Sequence, residues 1–590
     1  MSKGEVLLAK YEKEIETIWR KKTPKSRELW EKAEKYSPGG ALLSHGTGTY
    51  HSYGERCDGC YQYDVDGNRY IDLVLGMTSI TGHNHPKIAE AVQEQVPKGL
   101  VSFMPNASKD ALAEKMCKRV PSVEKVWFTL GGSQAFMWAI RAARGFTGRE
   151  KILKIVASYN GTYDDALAIP PNPMMPNGFR GIPKNTLDNV LFINWNDKAE
   201  AEKVIRENKD ELAAVLTEGM QTGGTIPPQD GFLTFLRELC TKYGVVLIFD
   251  EIVNFWLDHG GTGALYDVEP DLTCYGKGIG GGLPMGMIGG RDEIMKMFSM
   301  KEEVKVAAIA AHQGDPMGVA ASTACLNIMS AEEIARINAN GDYMADGIRS
   351  ILKDLEISGQ VIGYGNHQSV HLTTAEKVDN PLFYFLNANA PGMQETMALF
   401  RRSLINKGVL TLENLMSLRT STPLSKDEID TVLAAMREGF AEIHPILEEV
   451  APHLVNQTKR KAGDPNMSDE QQIERLVQTY FDSTYESSAA KVHETFHPNA
   501  KITGFMGDNL LEIAVPDYAN FVGSQQPSPK EKGETLPTEI LSIEIAGNTA
   551  AVRVRDDFLG NTYLDTLSLV KDRDAWVIYN KLYHIEGPAA

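Results

Sequence analysis

The alternation of strands, glycine turns and helices between residues 120 and 290 most strongly constrains how this chain can fold. Runs of β-branched and aliphatic residues predict strands in KVWFTL, KILKIVAS, AAVLTEG, VVLIFDE and MGMIGGR. Amphipathic segments predict helices between them, notably FMWAIRAARGFTG and GFLTFLRELCTKYG. Repeated strand–helix units are typical of a mostly parallel sheet with helices on both faces. We therefore expect an α/β fold in this part of the chain.

The two ends of the chain have different patterns. Residues 1–36 place apolar side chains at helical spacing and predict a helical arm, which packs either on a partner subunit or on its own chain. Residues 451–466 have the polar, proline-containing composition of a linker. Beyond it, Ser468 and Gln471 form a capping-box pattern before a helix at residues 469–485, and alternating strands follow. Residues 467–590 are therefore predicted to form a separate α+β unit.

The composition argues against several functional classes. A chain of 590 residues is long enough for roughly three or four folding units, and 42% apolar and 23% charged residues are typical of globular proteins. The net charge of −18 argues against nucleic acids and anionic membranes as partners. The sequence has no apolar run of membrane-spanning length and no signal-peptide pattern at its start, so we expect a cytoplasmic protein.

The six cysteines favour the same environment. Only Cys57 and Cys60 are close, in C-D-G-C, and no second pair or suitably spaced histidine accompanies them. The Asp-Gly centre favours a turn between two short strands over a zinc site. We therefore predict no metal site and a reducing compartment.

The stretch DLTCYGKGIGGGLPMG, from Asp271 to Gly286, contains the residue on which the predicted function depends. Lys277 lies among glycines, where the backbone is bare and a ligand can come close. The predicted strand VVLIFDE places Asp250 upstream, at a strand end. An amine and an acid at opposite ends of a ligand suit pyridoxal phosphate, because the lysine forms its Schiff base and the acid pairs with its pyridinium nitrogen. The alternative is an exposed lysine in a flexible loop.

Two further strand ends predict contacts to the same cofactor. Gly131, Gly132 and Ser133 join a strand to a helix, and backbone N–H groups at a helix start form a ready phosphate site. Tyr159 follows the next strand, at the sheet edge where ligands of open α/β sheets bind.

Several longer motifs occur in a fixed order: DVDGNRYIDLV, GHNHP, AIRAARGFTGREKILK, GFLTFLRELCTKYGVVLIFDE and PDLTCYGKGIGGGLPMGMIGGR. Through them, residues 28–450 resemble the class III aminotransferases, in the branch around glutamate-1-semialdehyde aminomutase. The resemblance implies the fold-type-I architecture of pyridoxal-phosphate enzymes. Residues 101–339 would form the large, mostly parallel cofactor-binding domain, and residues 37–100 with 340–450 a small α+β domain. It also implies a homodimer with its sites at the subunit interface.

The resemblance also implies roles for individual residues. Lys277 matches the Schiff-base lysine, which in the family also moves the substrate's α-proton, and Asp250 matches the acid below the pyridine nitrogen. The other matching positions, in the phosphate turn, the ring-stacking aromatic and the supporting loop, are Gly132, Ser133, Tyr159, Glu218 and Gln221.

The phosphate contacts depart from the family's pattern. The turn is LGGS instead of N-S-G-T and loses one hydroxyl. Ala311 stands where the family has a threonine that reaches the phosphate across the dimer, with His312 and Gln313 as alternative donors.

The substrate contacts depart from it as well. The arginine that holds a substrate carboxylate in the aminomutases is absent from PGGALLSHGT, and the aromatic before G-H-N-H-P is missing, with Gly76 nearest. Tyr-His-Gly becomes Tyr-Asn-Gly at 159–161, and Phe-Arg becomes Trp256-Leu257. These changes disfavour glutamate-1-semialdehyde and make amines without a carboxylate plausible donors.

We therefore predict a pyridoxal-phosphate-dependent aminotransferase that moves an amino group between a small amine or amino acid and an oxo acid or aldehyde. An aminomutase is the first alternative, and a lyase or decarboxylase with the same cofactor is the second. The non-enzymatic alternative is a cofactor-binding scaffold for the C-terminal unit.

The C-terminal unit has motifs of its own in YFDSTYESS, FHPNAKITG and DAWVIYNKLYHI. They make it similar to the cone-shaped α+β barrels of the SnoaL-like and nuclear-transport-factor-two-like superfamily. Such cones are enzymes, ligand binders or dimerisation modules, so the role stays open. The candidates to line a pocket are Asp482, Tyr485, His493, His497 and His584, although structural histidines are the favoured interpretation.

Overall fold

The computed structural model describes residues 3–38, 50–101, 104–170, 180–303, 305–375, 377–381, 392–411, 417–455, 467–506, 509–572 and 575–589. In chain order its strands are β1 (Gly54–Asp58), β2 (Tyr61–Asp64), β3 (Arg69–Asp72), β4 (Lys125–Thr129), β5 (Lys151–Ile155), β6 (Val190–Ile193), β7 (Leu212–Glu218), β8 (Val246–Asp250), β9 (Leu272–Tyr275), β10 (Gly286–Gly290), β11 (Gln360–Tyr364), β12 (His367–His371), β13 (Val409–Leu410), β14 (Ser417–Arg419), β15 (Phe496–Met506), β16 (Asn509–Ala514), β17 (Thr538–Ala546), β18 (Thr549–Phe558), β19 (Asn561–Asp572) and β20 (Ala575–Pro588).

The α-helices are Lys3–Lys22, Pro24–Ala33, Leu75–Thr78, Pro86–Gln95, Ala107–Arg119, Gly132–Thr147, Asp164–Leu167, Lys198–Asn208, Phe232–Tyr243, Gly261–Leu265, Asp292–Met295, Pro316–Ile328, Ala331–Asp354, Met393–Asn406, Lys426–Val450, Asp469–Tyr485, Ala489–Thr495, Val515–Gly523 and Pro529–Lys532. Short 3₁₀ turns occur at Val96–Lys98, Lys184–Asn189, Asn254–Leu257, Lys277–Gly280, Lys296–Phe298 and Pro452–Leu454.

A seven-stranded sheet in the order β4-β10-β9-β8-β7-β5-β6 carries the centre of the molecule. Only β10 runs antiparallel to its neighbours β4 and β9, so the predicted mostly parallel sheet is confirmed. Every residue of β7 and β8 is buried, because apolar clusters cover both faces of the sheet. The short strands β6 and β9 were not predicted; β9 lies inside the stretch that also contains the glycine run.

Two smaller sheets combine segments from before and after the large one. The first has the order β1-β2-β3-β13 and the second β11-β12-β14. The helix Ala331–Asp354 packs against the second sheet and against the helix Lys426–Val450, and all three contribute to one apolar cluster. The C-D-G-C segment is the predicted turn, because Asp58 pairs with Tyr61 and Gly59 has φ +55°.

The N-terminal helices pack on the same chain. Ile15 of the first helix lies in a buried cluster with Leu399 and Ile446. These two residues belong to the helices Met393–Asn406 and Lys426–Val450. Pro24 begins the second helix, where its missing N–H costs nothing. The described contacts favour the interpretation of this arm as a capping element of its own subunit.

The C-terminal unit is a six-stranded sheet in the order β16-β15-β20-β19-β18-β17. Its strands are antiparallel except that β15 and β20 run parallel. The predicted helix Asp469–Tyr485 and its capping box of Ser468 and Gln471 are confirmed. This helix and Val515–Gly523 cover the inner face of the sheet and enclose an apolar core with aromatic side chains.

Within the described residues, no helix has both the length and the apolar character needed to cross a membrane. The same part of the chain contains no group of three or more histidine, cysteine, aspartate or glutamate side chains arranged to hold a metal ion.

Candidate active site

The candidate site lies at the carboxyl ends of the central strands. Asp250 is the last residue of β8 and pairs in register with Glu218, the last residue of β7. Lys277 comes two residues after β9, the strand beside β8, and begins a 3₁₀ turn with φ +48°. Because parallel strands end at the same edge, the topology brings the predicted amine and acid together.

Asp250 is held by two hydrogen bonds. The Asn160 side-chain amide donates to Asp250 Oδ2 over 2.9 Å, and the Ile252 backbone N–H donates to Oδ1 over 3.0 Å. Burial raises the pKa of Asp250, and these two hydrogen bonds together with the charge of Lys277 act against that rise. The carboxylate is thus fixed in place, and a cation beside it would favour its charged form.

Lys277 lies in the 3₁₀ turn that follows β9. Its side chain is exposed to solvent, although protein surrounds the amine closely enough that desolvation lowers its pKa. The charges of Asp250 and Glu218 raise this pKa, and the charge of Arg419 lowers it. No hydrogen bond or ion pair to Lys277 Nζ is found within the described ranges. The amine is therefore accessible and closer to its neutral, nucleophilic form.

Glu218 is fully engaged with protein groups. Ser158 Oγ donates to Glu218 Oε1 over 2.8 Å, and the Thr222 N–H donates to Oε2 over 2.8 Å. Burial and then the nearby Asp250 charge raise the pKa of Glu218. Its predicted supporting role fits this position behind Asp250.

The predicted phosphate turn packs against the other site loops. Ser133 Oγ accepts a hydrogen bond from the Thr162 N–H over 3.3 Å, and Gly161 has φ +99°. A Cβ on Gly161 would come within 2.8 Å of Ser133 Cα, and one on Gly276 within 3.0 Å of Gly132 N. The start of the helix Gly132–Thr147 therefore lies directly beside the turn that carries Lys277.

Gln221 and Tyr159, two of the predicted cofactor residues, have polar atoms or a ring that the described residues leave without a partner or cover. Both polar atoms of the Gln221 side-chain amide are buried and have no hydrogen-bond partner among the described residues. Such groups are costly unless a ligand or water pairs with them. Tyr159 is 60% exposed, so its ring is available to a planar ligand.

The structure adds Arg419, a residue that the sequence reasoning missed. It is the last residue of β14, only 4% exposed, and its Nε has no partner in the described part of the chain. Burial acts to lower the pKa of Arg419, whereas the charge of Glu218 raises it. An arginine keeps its charge at neutral pH. A buried, incompletely paired guanidinium near Lys277 is suited to an anionic group.

Gly76 leaves the room that the backbone and Cβ of Arg419 occupy. A Cβ on Gly76 would lie 2.8 Å from Arg419 Cβ and 2.8 Å from the Thr420 carbonyl oxygen. The end of β14 therefore occupies the space that an aromatic side chain at position 76 would need. Nothing in the L-R-T sequence around Arg419 marks it, because its place depends on the packing of distant segments.

His367 shares the surroundings of Arg419. Its Nε2 lies 3.1 Å from Thr225 Oγ1 and 3.3 Å from Ser417 Oγ, and its Nδ1 lies 3.3 Å from Asn254 Oδ1. Burial lowers the pKa of His367 well below its usual value, and Arg419 and Lys277 act in the same direction. The imidazole is thus neutral and adds no competing charge.

Other predicted positions have simpler outcomes. Trp256 is buried, and its indole nitrogen lies where a Cβ on Gly278 would come within 2.6 Å, so the ring supports the lysine turn. Ala311 and His312 are exposed at the surface. Most of the segment PGGALLSHGT, from residue 39 onwards, lies outside the described residues.

Four of the five candidates named to line a pocket in the C-terminal unit have separate surroundings. Asp482 pairs with Lys491 at 3.2 Å, and His493 stacks on His453 with a ring separation of 4.2 Å. His497 contacts the ring of Tyr579, while His584 is exposed. The buried charged side chains among the described residues of this unit are different ones, Asp556, Asp565 and Lys581, and the buried Tyr480 lies with them.

Comparison with known proteins gives consistent results. Residues 43–439 match the sequence model of the family described as aminotransferase class III, and residues 468–584 match one described as putative lumazine-binding. Glutamate-1-semialdehyde 2,1-aminomutase from Methanosphaera stadtmanae is 32% identical over 435 residues, covering 72% of this chain and all of the relative.

Two solved structures share the fold of the larger part. An omega-transaminase from Sphaerobacter thermophilus aligns with a TM-score of 0.67 and 31% identity, over 71% of this chain and 98% of that one. A β-phenylalanine aminotransferase from Variovorax paradoxus aligns with a TM-score of 0.67 and 26% identity, over 75% and 98%. The predicted fold-type-I architecture is confirmed. For the C-terminal unit, the match names a lumazine-binding family and no SnoaL-like one.

Proposed function

Because the chain belongs to the class III aminotransferases, we propose that it transfers amino groups with pyridoxal phosphate attached to Lys277. The observation that carries this proposal is that an accessible lysine, with no ion pair among the described residues, and a buried, fixed aspartate lie together at one edge of the central sheet. The proposed roles of the individual residues rest on their positions around that pair.

The side chains present fit this cofactor. Its phosphate would bind at the N–H groups of Gly132 and Ser133, where the helix Gly132–Thr147 starts. Its pyridine nitrogen would pair with Asp250, and its ring would stack on Tyr159. The unsatisfied Gln221 amide offers a donor to a ring oxygen, with Glu218 in support. Bound there, the cofactor supplies a ring that accepts electrons from the substrate's reacting carbon.

The protein's own contributions to the reaction are binding, orientation and proton transfer. Asp250 would keep the pyridine nitrogen protonated, because a buried carboxylate held by two donors is a rigid anionic partner. The free Lys277 amine would accept the proton from the substrate's α-carbon at Nζ and give it up again later in the reaction. Its lowered pKa makes the neutral amine available for this step.

Arg419 points to a substrate that carries a carboxylate. Its buried guanidinium influences both Lys277 and Glu218, so it lies within electrostatic range of the reacting amine. A carboxylate would supply the anion that this arginine lacks and would orient the substrate's amino-bearing carbon. We therefore favour amino acids over plain amines as donors, which revises the expectation drawn from the missing arginine in the N-terminal segment.

Matched donor pairs test this proposal. Alanine and isopropylamine differ only by a carboxylate in place of a methyl group, as do 3-aminobutanoate and sec-butylamine. Formation of pyridoxamine phosphate in a single turnover should be at least about 100-fold faster with the acid of one pair. Arg419→Met should remove that preference and leave the amine rate unchanged. Equal rates within both pairs in the wild type would overturn the role of Arg419.

The same experiment separates the remaining enzymatic alternatives. An aminotransferase leaves pyridoxamine phosphate once the oxo product departs. A lyase or decarboxylase returns the aldehyde form of the cofactor without a second substrate. An aminomutase, the activity named for the Methanosphaera relative, also returns it, but only with a substrate that carries two suitable positions.

The assembly and the cell compartment are further proposals. Large exposed apolar side chains, such as Leu130 and Ile309, suit a homodimer interface that would cover them. Sedimentation equilibrium of the full chain should give a dimer, and Ile309→Glu should shift it towards monomer. All six cysteines are free, which suits the reducing cytoplasm.

The C-terminal unit is proposed to be an independent, cone-like module of the SnoaL type. Its six-stranded sheet, covered on one face by the helices Asp469–Tyr485 and Val515–Gly523, supports this interpretation. We also retain the boundaries 1–36, 37–100 with 340–450, 101–339, 451–466 and 467–590 as the proposed domain organisation. Deletion of residues 467–590 should leave the absorbance of the bound cofactor unchanged.

A further inference from the structure

A second buried cluster of charged side chains lies inside the C-terminal unit. Tyr480 Oη donates to Asp565 Oδ2 over 2.6 Å, and Lys581 Nζ lies 2.7 Å from the same carboxylate and also donates to Tyr480 Oη. Asp556 belongs to this cluster and is 2% exposed. The aminotransferase reaction uses none of these residues.

The pleat of the sheet places the cluster on one inner face. Asp556 on β18 pairs with Tyr563 on β19, whereas Asp565 on β19 pairs with Tyr583 on β20. Side chains alternate between faces along a strand, so the two acids are diagonal neighbours and Lys581 continues the diagonal on β20. Lys581 is two residues before Tyr583 on its strand. Asp556 therefore lies at the end of the cluster that is next to the half-buried side chains of Tyr563 and Tyr583.

When Asp556 and Asp565 are both ionised, the cluster has one negative charge more than Lys581 balances. The charge of Lys581 acts on Asp556, but its amine is already engaged by Asp565 and Tyr480. The tyrosines of the covering helices, Tyr480 and Tyr518, are neutral because burial raises their pKa values. Arg555 on the same strand as Asp556 faces the other way and pairs with Glu586 and Glu539.

Asp556 shows the consequence of this imbalance. Its Oδ1 is buried and has no hydrogen-bond partner in the described residues, and neither has Asp565 Oδ1. Burial, then the charge of Asp565 and a side-chain hydrogen bond with the Asp565 carboxyl, raise the pKa of Asp556 to about 7, while the charge of Lys581 acts to lower it. A buried carboxylate in this situation takes up either a proton or a cation.

The side chains next to Asp556 favour a cation. The rings of Tyr563 and Tyr583 meet edge to face with centroids 6.1 Å apart, and the hydroxyl of Tyr563 is close enough to Asp556 for its charge to act there. Tyr583 lies over Gly504, where a Cβ would be 2.6 Å from its ring atoms. Aromatic faces beside a desolvated carboxylate are the surroundings that recognise ammonium groups.

We propose that the C-terminal unit binds a small organic cation, an amine or a quaternary ammonium ion, between the Asp556 carboxylate and the rings of Tyr563 and Tyr583. The cation supplies the charge that the cluster lacks. An anion would be repelled by the two carboxylates, and a neutral ligand would leave the excess charge in place.

A quaternary ammonium probe tests this site without touching the cofactor. Choline has no N–H group and cannot condense with pyridoxal phosphate, and 3,3-dimethylbutan-1-ol is its neutral isostere. In calorimetric titrations of the full-length protein with its cofactor, choline should bind at least about tenfold more tightly than the alcohol. Asp556→Asn should weaken choline binding at least about tenfold. Asp557→Asn, the matched change on the adjacent outward position, should leave it unaltered.

Proton release gives a readout that needs no variant. Choline should displace a proton from Asp556 at about pH 6, so that the binding enthalpy depends on the buffer's ionisation heat, and the effect should vanish at about pH 8. Equal affinity for the alcohol, no binding up to about 100 mM choline, or the same loss in both variants would each overturn the proposal. Binding without proton release at the lower pH would also contradict it.

Discussion

Lys277 and Lys581 each lie near two buried carboxylates, but their surroundings shift their pKa values in opposite directions. Lys277 lies near Asp250 and Glu218, yet it has no ion pair among the described contacts and its pKa is lowered by desolvation. Burial also acts to lower the pKa of Lys581, but the charges of Asp565 and Asp556, Tyr518 and the contact with Asp565 together raise it.

The difference lies in which groups already hold the acids. At the first site, Asn160 and backbone N–H groups satisfy Asp250, and Ser158 and Thr222 satisfy Glu218, so no acid depends on the lysine. At the second site, the lysine itself is the partner of Asp565. A lysine whose acids are satisfied by other donors is available for chemistry, whereas one that neutralises a buried acid is structural.

Removal of each amine gives the largest contrast. Lys277→Ala should reduce turnover by at least about 1,000-fold, because both cofactor attachment and proton transfer depend on this amine. The absorbance of the lysine-bound cofactor should disappear as well. Lys581→Met should leave both properties as in the wild type. An active Lys277→Ala protein would remove the basis of the comparison.

Lys581→Met should instead destabilise the C-terminal unit. It leaves Asp565 buried without its cation, which costs about 3–5 kcal/mol of unfolding free energy. Hydrogen exchange of the β18–β20 amides, analysed by mass spectrometry, measures this loss. Lys501→Met is the matched control, because its ion pair with Glu512 is solvent-exposed and contributes about 0–1 kcal/mol. Equal effects of the two substitutions would show that the inner pair is not structural.

The two regions also differ in how far the sequence could predict them. Lys277 and Asp250 were found because strand ends and glycine turns are local patterns that topology brings to one edge. Arg419 was not, since its place depends on the packing of distant segments. The Asp556–Asp565 pair was not, since it depends on the register between β18 and β19, and the alternation along β18 does not show which side chain of β19 lies beside Asp556. The long helices and the capping box of Ser468 were predictable from periodicity.

The pH dependence of stability sharpens the comparison further. The pKa of Asp556 is raised on folding, so its protonated form stabilises the fold fully below its ordinary value of 3.8, and this stabilisation is lost as pH rises to about 7. Relative to Asp556→Asn, the wild-type C-terminal unit should lose on the order of 1–4 kcal/mol across that window. Urea unfolding at each pH, followed by pulse labelling at one fixed pH, separates this effect from the exchange chemistry. Parallel curves for the two proteins would contradict it.

Asn160 offers the smallest and most specific test, because it acts on Asp250 without touching the substrate carbon. Its amide hydrogen bond lowers the pKa of Asp250, and Asn160→Ala should let that pKa rise. The loss of a hydrogen bond to a charged group corresponds to about 1.5–3 kcal/mol, or roughly a tenfold to hundredfold fall in kcat/KM at low pH. The acid limb of the pH profile of kcat/KM should move to higher pH, while the rate at high pH recovers.

Asn160→His keeps a ring N–H that can donate to Asp250 and should restore both the rate and the position of the acid limb. A uniform loss at every pH, with no rescue by histidine, would show that Asn160 only packs the loop, and the independence of Asp250 from Lys277 would then rest on the Ile252 N–H alone.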